Sequence, residues 1–372
     1  MRVALVHDWL TGMRGGERVL EALARLYPTA TIHALVHVRG SVSPAIEGRP
    51  IRTSVLQRLP GAPARFRQYL PLFPLAVAGF DLRGYDLVIA TSHCVALGAW
   101  VGRPASHVAY CFTPMRYAWD FEGEYRRRVP AVGRPLLSVV LAALRRWDRG
   151  AGRRAGHLAA ISHHVAGRVR RAYGREAHVI YPPVRTEWFR PATEAGGAGE
   201  RFLCVSALVP YKRLDVAVEA FTRLGRPLDV VGIGPELGRL RRRAGPTVRF
   251  LGWLDDDALR AAYARCRAFV FPAEEEFGIA PLEAMAVGRP VVAYARGALT
   301  ETSVDGVTGL FFAEQTPEAL IDALERFELH GCWDPEKIRA HALRFGEARF
   351  REEMQAYVGA CREADGAEAR AC

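Results

Sequence analysis

The chain reads as an α/β protein made of two successive units, each a parallel sheet covered by helices. Three observations predict this. Short apolar runs alternate with amphipathic stretches along most of the sequence, the pattern of repeated strand–helix–strand units. A glycine-rich break, Glu194-Ala195-Gly196-Gly197-Ala198-Gly199, interrupts the alternation, which then restarts. The length, 372 residues with 50% hydrophobic, suits two domains and supplies a core for each. The expected division is a first unit over 1–190, a linker over 191–200, a second unit over 201–345 and a closing helix and tail over 346–372.

Element by element, Arg2–His7 reads as a strand and Glu17–Leu26 as a helix with Val19, Leu20, Leu23 and Leu26 on one face. Thr31–Val38, Leu87–Ala90 and His107–Cys111 are strands, and Ser138–Arg154 is a long basic helix. Strand Leu158–Ile161, helix His163–Tyr173 and strand His178–Tyr181 close the first unit. Beyond the break come strand Phe202–Ala207, helix Leu214–Leu224, strand Leu228–Gly232, helix Pro235–Arg243 and strand Val248–Phe250. Helix Asp256–Arg265, strand Ala268–Phe271, helix Ala280–Val287, strand Pro290–Ala293 and a last helix Glu347–Glu363 come after these. Two such sheets in tandem predict a ligand at the C-terminal ends of the strands, in a crevice between the domains.

Composition narrows the function. Collagen, coiled coil and wholesale disorder are excluded. No apolar run approaches the roughly 18 residues of a membrane span, and the N-terminus has no signal-peptide anatomy. Seven scattered cysteines without a paired short spacing argue against a disulfide framework or zinc module and predict a reducing cytoplasm. The net charge of +11 is uneven: residues 1–190 carry 28 Arg against 12 acidic residues, whereas the rest is net acidic. The basic half, with Arg126-Arg127-Arg128 and the cluster Arg145, Arg146, Arg149, Arg153, Arg154, is either a solvated face or a contact for anionic lipid on the inner face of a membrane. No helix-turn-helix, RNA-recognition or zinc signature accompanies it, which speaks against nucleic acid. Only two lysines, Lys212 and Lys337, stand among 49 arginines. Lysine and arginine are not equivalent near phosphate, so Lys212 stands out.

Two constellations carry chemistry. Phe271-Pro272-Ala273-Glu274-Glu275-Glu276-Phe277-Gly278-Ile279 runs from a strand end into a helix that holds Glu283. Carboxylates at Glu275 and Glu283 suit sugar and ribose hydroxyls, and the amides around Gly278 and Ile279 suit a diphosphate. A solvated acidic loop before a helix-start glutamate is the plain alternative. Lys212, in Val209-Pro210-Tyr211-Lys212-Arg213-Leu214, falls at the same sheet edge and can neutralise a phosphate. In the first half, Gly15 and Gly16 open a helix after the first strand and allow close backbone approach to phosphates or an acceptor. Asp8, in the same loop, either meets acceptor hydroxyls or caps a helix or loop. Other motifs fail. Gly232-Ile233-Gly234 has Leu237 where a dinucleotide fingerprint needs its third glycine, Gly15-Gly16 lacks the rest of a P-loop, and Asp255-Asp256-Asp257 reads as a capped helix start rather than a metal site.

The loop-and-helix with Glu275 and Glu283, together with "LVPYKRLD", "VVGIGPEL", "FLGWLDDDALRAAYARCRAFVFP" and "VIYPPV", resembles the retaining glycosyltransferases of family four. "HDWLTGMRGGERVLEAL" and "YCFTPMRYAWD" resemble the bacterial mannosyltransferase branch that builds O-antigen and exopolysaccharide. The resemblance implies the GT-B fold, two Rossmann-like domains facing a central cleft, with the C-terminal helix returning to the first. It implies transfer of a hexose, mannose from GDP-mannose, to a lipid-linked saccharide, without a metal or other cofactor. By the same token Glu275 would contact the donor sugar, Glu283 the ribose and Lys212 the diphosphate. Gly16, Arg213, Gly232, Gly234, Gly252, Phe277, Gly278 and Ile279 would line the donor, and Asp8, Gly15 and Arg116 the acceptor. The chain departs from the branch at Ala207, where many relatives carry arginine, and at Phe112, where the branch carries a histidine beside the transferred sugar. His93 is the candidate to replace it as a catalytic contact. A non-catalytic sugar-nucleotide-binding partner protein is the alternative that Phe112 motivates.

Overall fold

A computed structural model describes residues 1–62, 64–120, 130–191 and 199–371. Arg126-Arg127-Arg128 and the break over 194–198 lie outside the described residues. The described chain divides into two units, Met1–Pro183 with Phe350–Cys372, and Val184–Arg349.

The first unit is built on a seven-stranded sheet in the order β3-β2-β1-β4-β5-β6-β7. Its strands are β1 (Val3–His7), β2 (Thr31–Ala34), β3 (Ile51–Thr53), β4 (Leu87–Ser92), β5 (Ser106–Cys111), β6 (His157–Ala160) and β7 (His178–Val179), and every pairing is parallel. Both faces are covered, so β1, β4 and β5 are buried at every residue, apolar or not. Helix α1 (Gly15–Leu26) follows β1, α2 (Arg134–Arg154) precedes β6, and α3 (His163–Tyr173) follows it. The expected strand Thr31–Val38 stops at Ala34, because Leu35 donates to the Asp8 carbonyl at 3.0 Å; pairing resumes as a bridge between Leu10 and His37. The edge strand β3 is not legible in the sequence: three residues, mostly exposed, carry no periodicity. Pro135, in the first turn of α2, starts that helix ahead of the expected Ser138, where proline's missing N–H costs nothing.

The second unit holds a six-stranded parallel sheet in the order β10-β9-β8-β11-β12-β13. The strands are β8 (Phe202–Val205), β9 (Leu228–Val231), β10 (Val248–Gly252), β11 (Phe269–Phe271), β12 (Val291–Tyr294) and β13 (Gly309–Phe312). Helices α4 (Leu214–Leu224), α5 (Leu237–Arg243), α6 (Asp256–Arg265), α7 (Ile279–Ala286), α8 (Pro317–His330) and α9 (Pro335–Leu343) accompany them. The expected boundary at 190 is too late. Val184 donates to the Phe345 carbonyl at 2.9 Å, Arg185 pairs with Asp256, and the Phe189 ring meets Tyr263 edge-on at 5.5 Å. Residues 184–190 thus pack with the second unit.

The last helix, α10 (Glu347–Ala371), returns to the first unit from Phe350 onward, as the resemblance implies. Phe350 meets the Tyr110 ring, the Tyr357 hydroxyl donates to the Leu158 carbonyl at 2.9 Å, and His157 Nε2 lies 2.9 Å from Asp365.

Candidate functional site

In the second unit the charged groups gather beyond the C-terminal ends of β8 and β11, where a parallel sheet presents its loops. After β8 the chain makes a single 3₁₀ turn, Pro210–Lys212, and enters α4. Arg213 at that junction adopts φ +52°, a left-handed conformation uncommon outside glycine. Its guanidinium is held there by Gln315, through Oε1 at 2.9 Å and the backbone carbonyl at 3.2 Å. Gln315 in turn donates to the Pro272 carbonyl at 2.7 Å, so the Lys212 turn is tied to the strand end that leads to Glu275. The Lys212 ammonium forms an ion pair with Glu275, and both side chains are largely buried, 15% and 16% exposed. Glu275 is anchored through its carbonyl, which accepts from Ala298 at 2.9 Å. Gly278, at φ +85°, then turns the chain into α7. A cation, a carboxylate and a helix N-terminus therefore meet at one sheet edge, which suits an anionic ligand bearing hydroxyls.

Glu283 lies in α7 and accepts a hydrogen bond from the Tyr263 hydroxyl at 3.1 Å. Other expected donor contacts are placed differently. The Phe277 ring is 3% exposed and packs on Phe345, so this residue has only backbone to offer a ligand. Gly232 is required by neighbouring backbone: a Cβ there would stand 1.8 Å from the Ser206 carbonyl oxygen. Gly234 is crowded in the same way by the Leu208 carbonyl. Gly252, at φ +73°, accepts from the Gly232 N–H at 2.7 Å. The acidic triplet is a helix start, as expected: Asp255 caps α6 by accepting from Ala258 at 2.8 Å, Asp256 pairs with Arg185 and Asp257 with Arg260.

In the first unit the expected role of Asp8 needs correcting. Its carboxylate is wholly buried and accepts four backbone N–H bonds, from His93 and Cys94 at 2.7 and 3.0 Å and from Val95 and Ala96 at 2.7 and 2.8 Å. It caps the turn after β4, 85 residues away in sequence, and cannot reach acceptor hydroxyls. His93 sits on that turn with Nδ1 3.1 Å from Asp8, its side chain 31% exposed and its ring edge-on to Trp9 at 4.5 Å. Desolvation, opposed by Asp8 and helped by Arg116, Arg67 and Arg14, lowers the His93 pKa. Arg116, half-buried, begins a one-turn helix after β5. Phe112 is packed among the rings of His7, His93 and Tyr110, with centroids 6.3, 6.4 and 5.7 Å away. A Cβ on Gly16 would stand 3.1 Å from its ring edge, a tight contact that the ring would have to yield by a few tenths of an ångström to accept. Gly15, half-buried, is the first residue of α1.

Beneath these residues lies a buried couple that no sequence pattern marks. His7 Nδ1 shares a hydrogen bond with Thr91 Oγ1 at 2.8 Å, while Nε2 is 4.0 Å from Glu17 and has no hydrogen-bond partner. Burial pushes His7 down to about 4 and Glu17 up to about 7. His7 hides in the apolar β1 run, and Glu17, which accepts from the Arg14 N–H at 3.1 Å, reads as an ordinary helix-start acid. The basic cluster on α2 is partly structural. Arg145 donates twice to the Ala118 carbonyl, and Arg149 and Arg153 reach the Ala172 and Tyr173 carbonyls at 3.3 Å, at the C-terminal end of α3. Among the described residues no helix is long and apolar enough to cross a membrane.

Residues 199–328, which hold Lys212, Glu275 and Glu283, match the family model described as glycosyl transferases group 1. The second unit is glycosyltransferase-like. A GDP-mannose-dependent alpha-(1-6)-phosphatidylinositol monomannoside mannosyltransferase of Mycobacterium tuberculosis is 32% identical over 222 residues, 52% of this chain and 57% of the relative. The O-antigen chain mannosyltransferase C of Escherichia coli is 32% identical over 162 residues, 41% of this chain and 42% of the relative. The chain thus spans about half the length of the curated relatives it matches. The fold likeness is longer. The crystal structure of Anabaena HepE in complex with UDP and glucose superposes with a TM-score of 0.73 over 96% of this chain and 99% of that one, at 18% identity. With the two all-parallel sheets, this likeness shows the GT-B fold.

Proposed function

We propose that the protein is a retaining, metal-independent glycosyltransferase that moves mannose from GDP-mannose onto a lipid-linked oligosaccharide of the cell surface. It works in the cytoplasm, in peripheral contact with an anionic membrane. The observation that carries the reading is the Lys212–Glu275 pair beside the N-terminus of α7, inside the segment that matches the glycosyltransferase model. The names of the two mannosyl-transferring relatives supply the sugar, and one of them the nucleotide.

The residues divide the work by charge. When the bond from the sugar's anomeric carbon to the diphosphate breaks, negative charge grows on the departing oxygen. The Lys212 ammonium, which exchanges Glu275 for the diphosphate when the donor binds, and the first amides of α7 stabilise that charge. Glu275 accepts hydrogen bonds from the donor sugar, and Glu283 from the ribose. Arg213 keeps the Lys212 turn in its left-handed entry to α4. In the first unit Gly15, Gly16, His93 and Arg116 serve the acceptor and the transferred sugar, with His93 supplying the polar contact that Phe112 cannot. The packed, apolar Phe112 also favours a second reading, a sugar-nucleotide binder without transfer.

Titration of the full chain with GDP-mannose and GDP, in EDTA and again with added manganese, tests the donor half. Lys212→Ala should weaken binding of both by about 1.5–3 kcal/mol, the range for hydrogen bonds to charged groups. Unchanged affinity removes Lys212 from the site. Binding that needs manganese overturns the metal-independent reading. Tight binding with neither donor hydrolysis nor transfer selects the second reading.

A further inference from the structure

Tyr263 lies in α6 and is fully buried, yet carries a hydroxyl. A buried phenol needs a partner, and this one donates to Glu283 Oε2 at 3.1 Å. Burial and the adjacent carboxylate raise the phenol pKa well above its usual value, so the group stays a donor at any working pH. We infer that Tyr263 is a positioning residue: its hydroxyl fixes the Glu283 carboxylate so that the remaining acceptor capacity of that carboxylate meets the ribose hydroxyls of the nucleotide. This rests on the reading of Glu283 as the ribose contact.

The surroundings of the phenol make it a rigid support. Its ring is set edge-on to Phe189 at 5.5 Å and tilted against Phe269 at 5.7 Å. Phe269 belongs to β11, at the centre of the sheet. Phe189 belongs to the 184–190 segment, which is itself clamped. Arg185 grips Asp256 with two hydrogen bonds of 2.6 and 3.1 Å, Phe189 donates to the Arg185 carbonyl at 2.9 Å, and Arg339 reaches the Phe189 carbonyl at 3.1 Å. The donor direction is thereby set by strand and segment together. A carboxylate has two oxygens with about four lone-pair positions, and Tyr263 occupies one of them. Holding a glutamate side chain in one rotamer before the nucleotide arrives removes part of the ordering cost of binding.

The test uses Tyr263→Phe, which removes one oxygen and keeps the ring. Calorimetry on the full chain compares GDP with 2′,3′-dideoxy-GDP, and Glu283→Gln is measured beside it. The expected result is a roughly 2- to 12-fold loss of GDP affinity in Tyr263→Phe with dideoxy-GDP affinity unchanged, the fold equivalent of one net hydrogen bond. In the Glu283→Gln background the same substitution should have a smaller effect. An equal loss for both nucleotides would show that Tyr263 is only a piece of the core and would overturn the inference. Unchanged GDP affinity in Tyr263→Phe while Glu283→Gln loses it selectively would overturn the inference and leave the ribose reading standing. If Glu283→Gln shows no preference between the nucleotides, the ribose reading fails first, and the inference with it.

Discussion

The two sheets present their strand ends in opposite ways. At the second unit's edge a cation and an anion, each with a small part exposed, pair with one another, Lys212 with Glu275. In the proposed function each exchanges that partner for a ligand, because phosphate and hydroxyl groups replace carboxylate and ammonium in kind. At the first unit's edge the corresponding charge, Asp8, is buried and saturated by backbone N–H groups. Exchanging those partners would unmake the turn. A carboxylate in a loop after a strand can meet a ligand only where its partners are replaceable, as the proposed role of Glu275 requires and the partners of Asp8 do not allow.

The sharpest way to break the comparison is Asp8→Ala. Four backbone N–H groups would lose their acceptor in the core, and the expected cost is about 3–5 kcal/mol of stability. Nucleotide affinity of the molecules that remain folded should not change. Denaturant midpoints and nucleotide titration measure the two. A stable Asp8→Ala variant that loses only acceptor binding would restore Asp8 to the site.

Smaller, and pH-dependent, is the effect of Glu17. Burial raises its pKa from 4.5 to about 7, so between these values the folded chain holds a proton that the unfolded chain has released. Stability therefore falls as pH rises through that window. His7, lowered from 6.5 to about 4, acts with the opposite sign, adding stability as pH rises from about 4 to 6.5. Glu17→Gln removes only the falling limb. Its stability relative to wild type should grow between pH 4.5 and 7 by up to about 3 kcal/mol, the linkage value for such a shift. Denaturation at about pH 5 and about pH 8, on either side of most of that window, reads this directly, and an equal difference at both would contradict the buried, proton-holding carboxyl.

The smallest expected effect is at Phe112. Phe112→His places a donor beside His7 and His93, and should raise the initial transfer rate by about tenfold, the equivalent of one net hydrogen bond. His93→Ala in wild type should lower the rate. If Phe112→His is no faster while wild type transfers readily, Phe112 is not a missing catalytic group.

Local interactions are legible in the chain itself. The bounds of α3, α4 and α6 match the sequence reading, because their stop and start signals act within a few residues. Ser162 accepts from Val165 at the start of α3, Gly174 takes the left-handed position at its end, and Asp255 caps α6. The alternation of strands and helices likewise needs only neighbouring residues. The Lys212 and Glu275 positions are marked by residue type and by resemblance. What they do to each other is not, since 63 residues separate them. Tertiary structure alone decided that Asp8 caps a turn 85 residues away, that Phe277 turns inward, that the Ser206 carbonyl crowds Gly232, and that burial displaces the titration of His7 and Glu17. It also decided that residues 184–190 join the second unit, through Arg185, Phe189 and Tyr263. The physical reason is common to all of these. A hydrogen bond or desolvation cost depends on what the fold brings alongside a group, whereas a helix cap or an apolar period is set by residues one or two turns away along the chain.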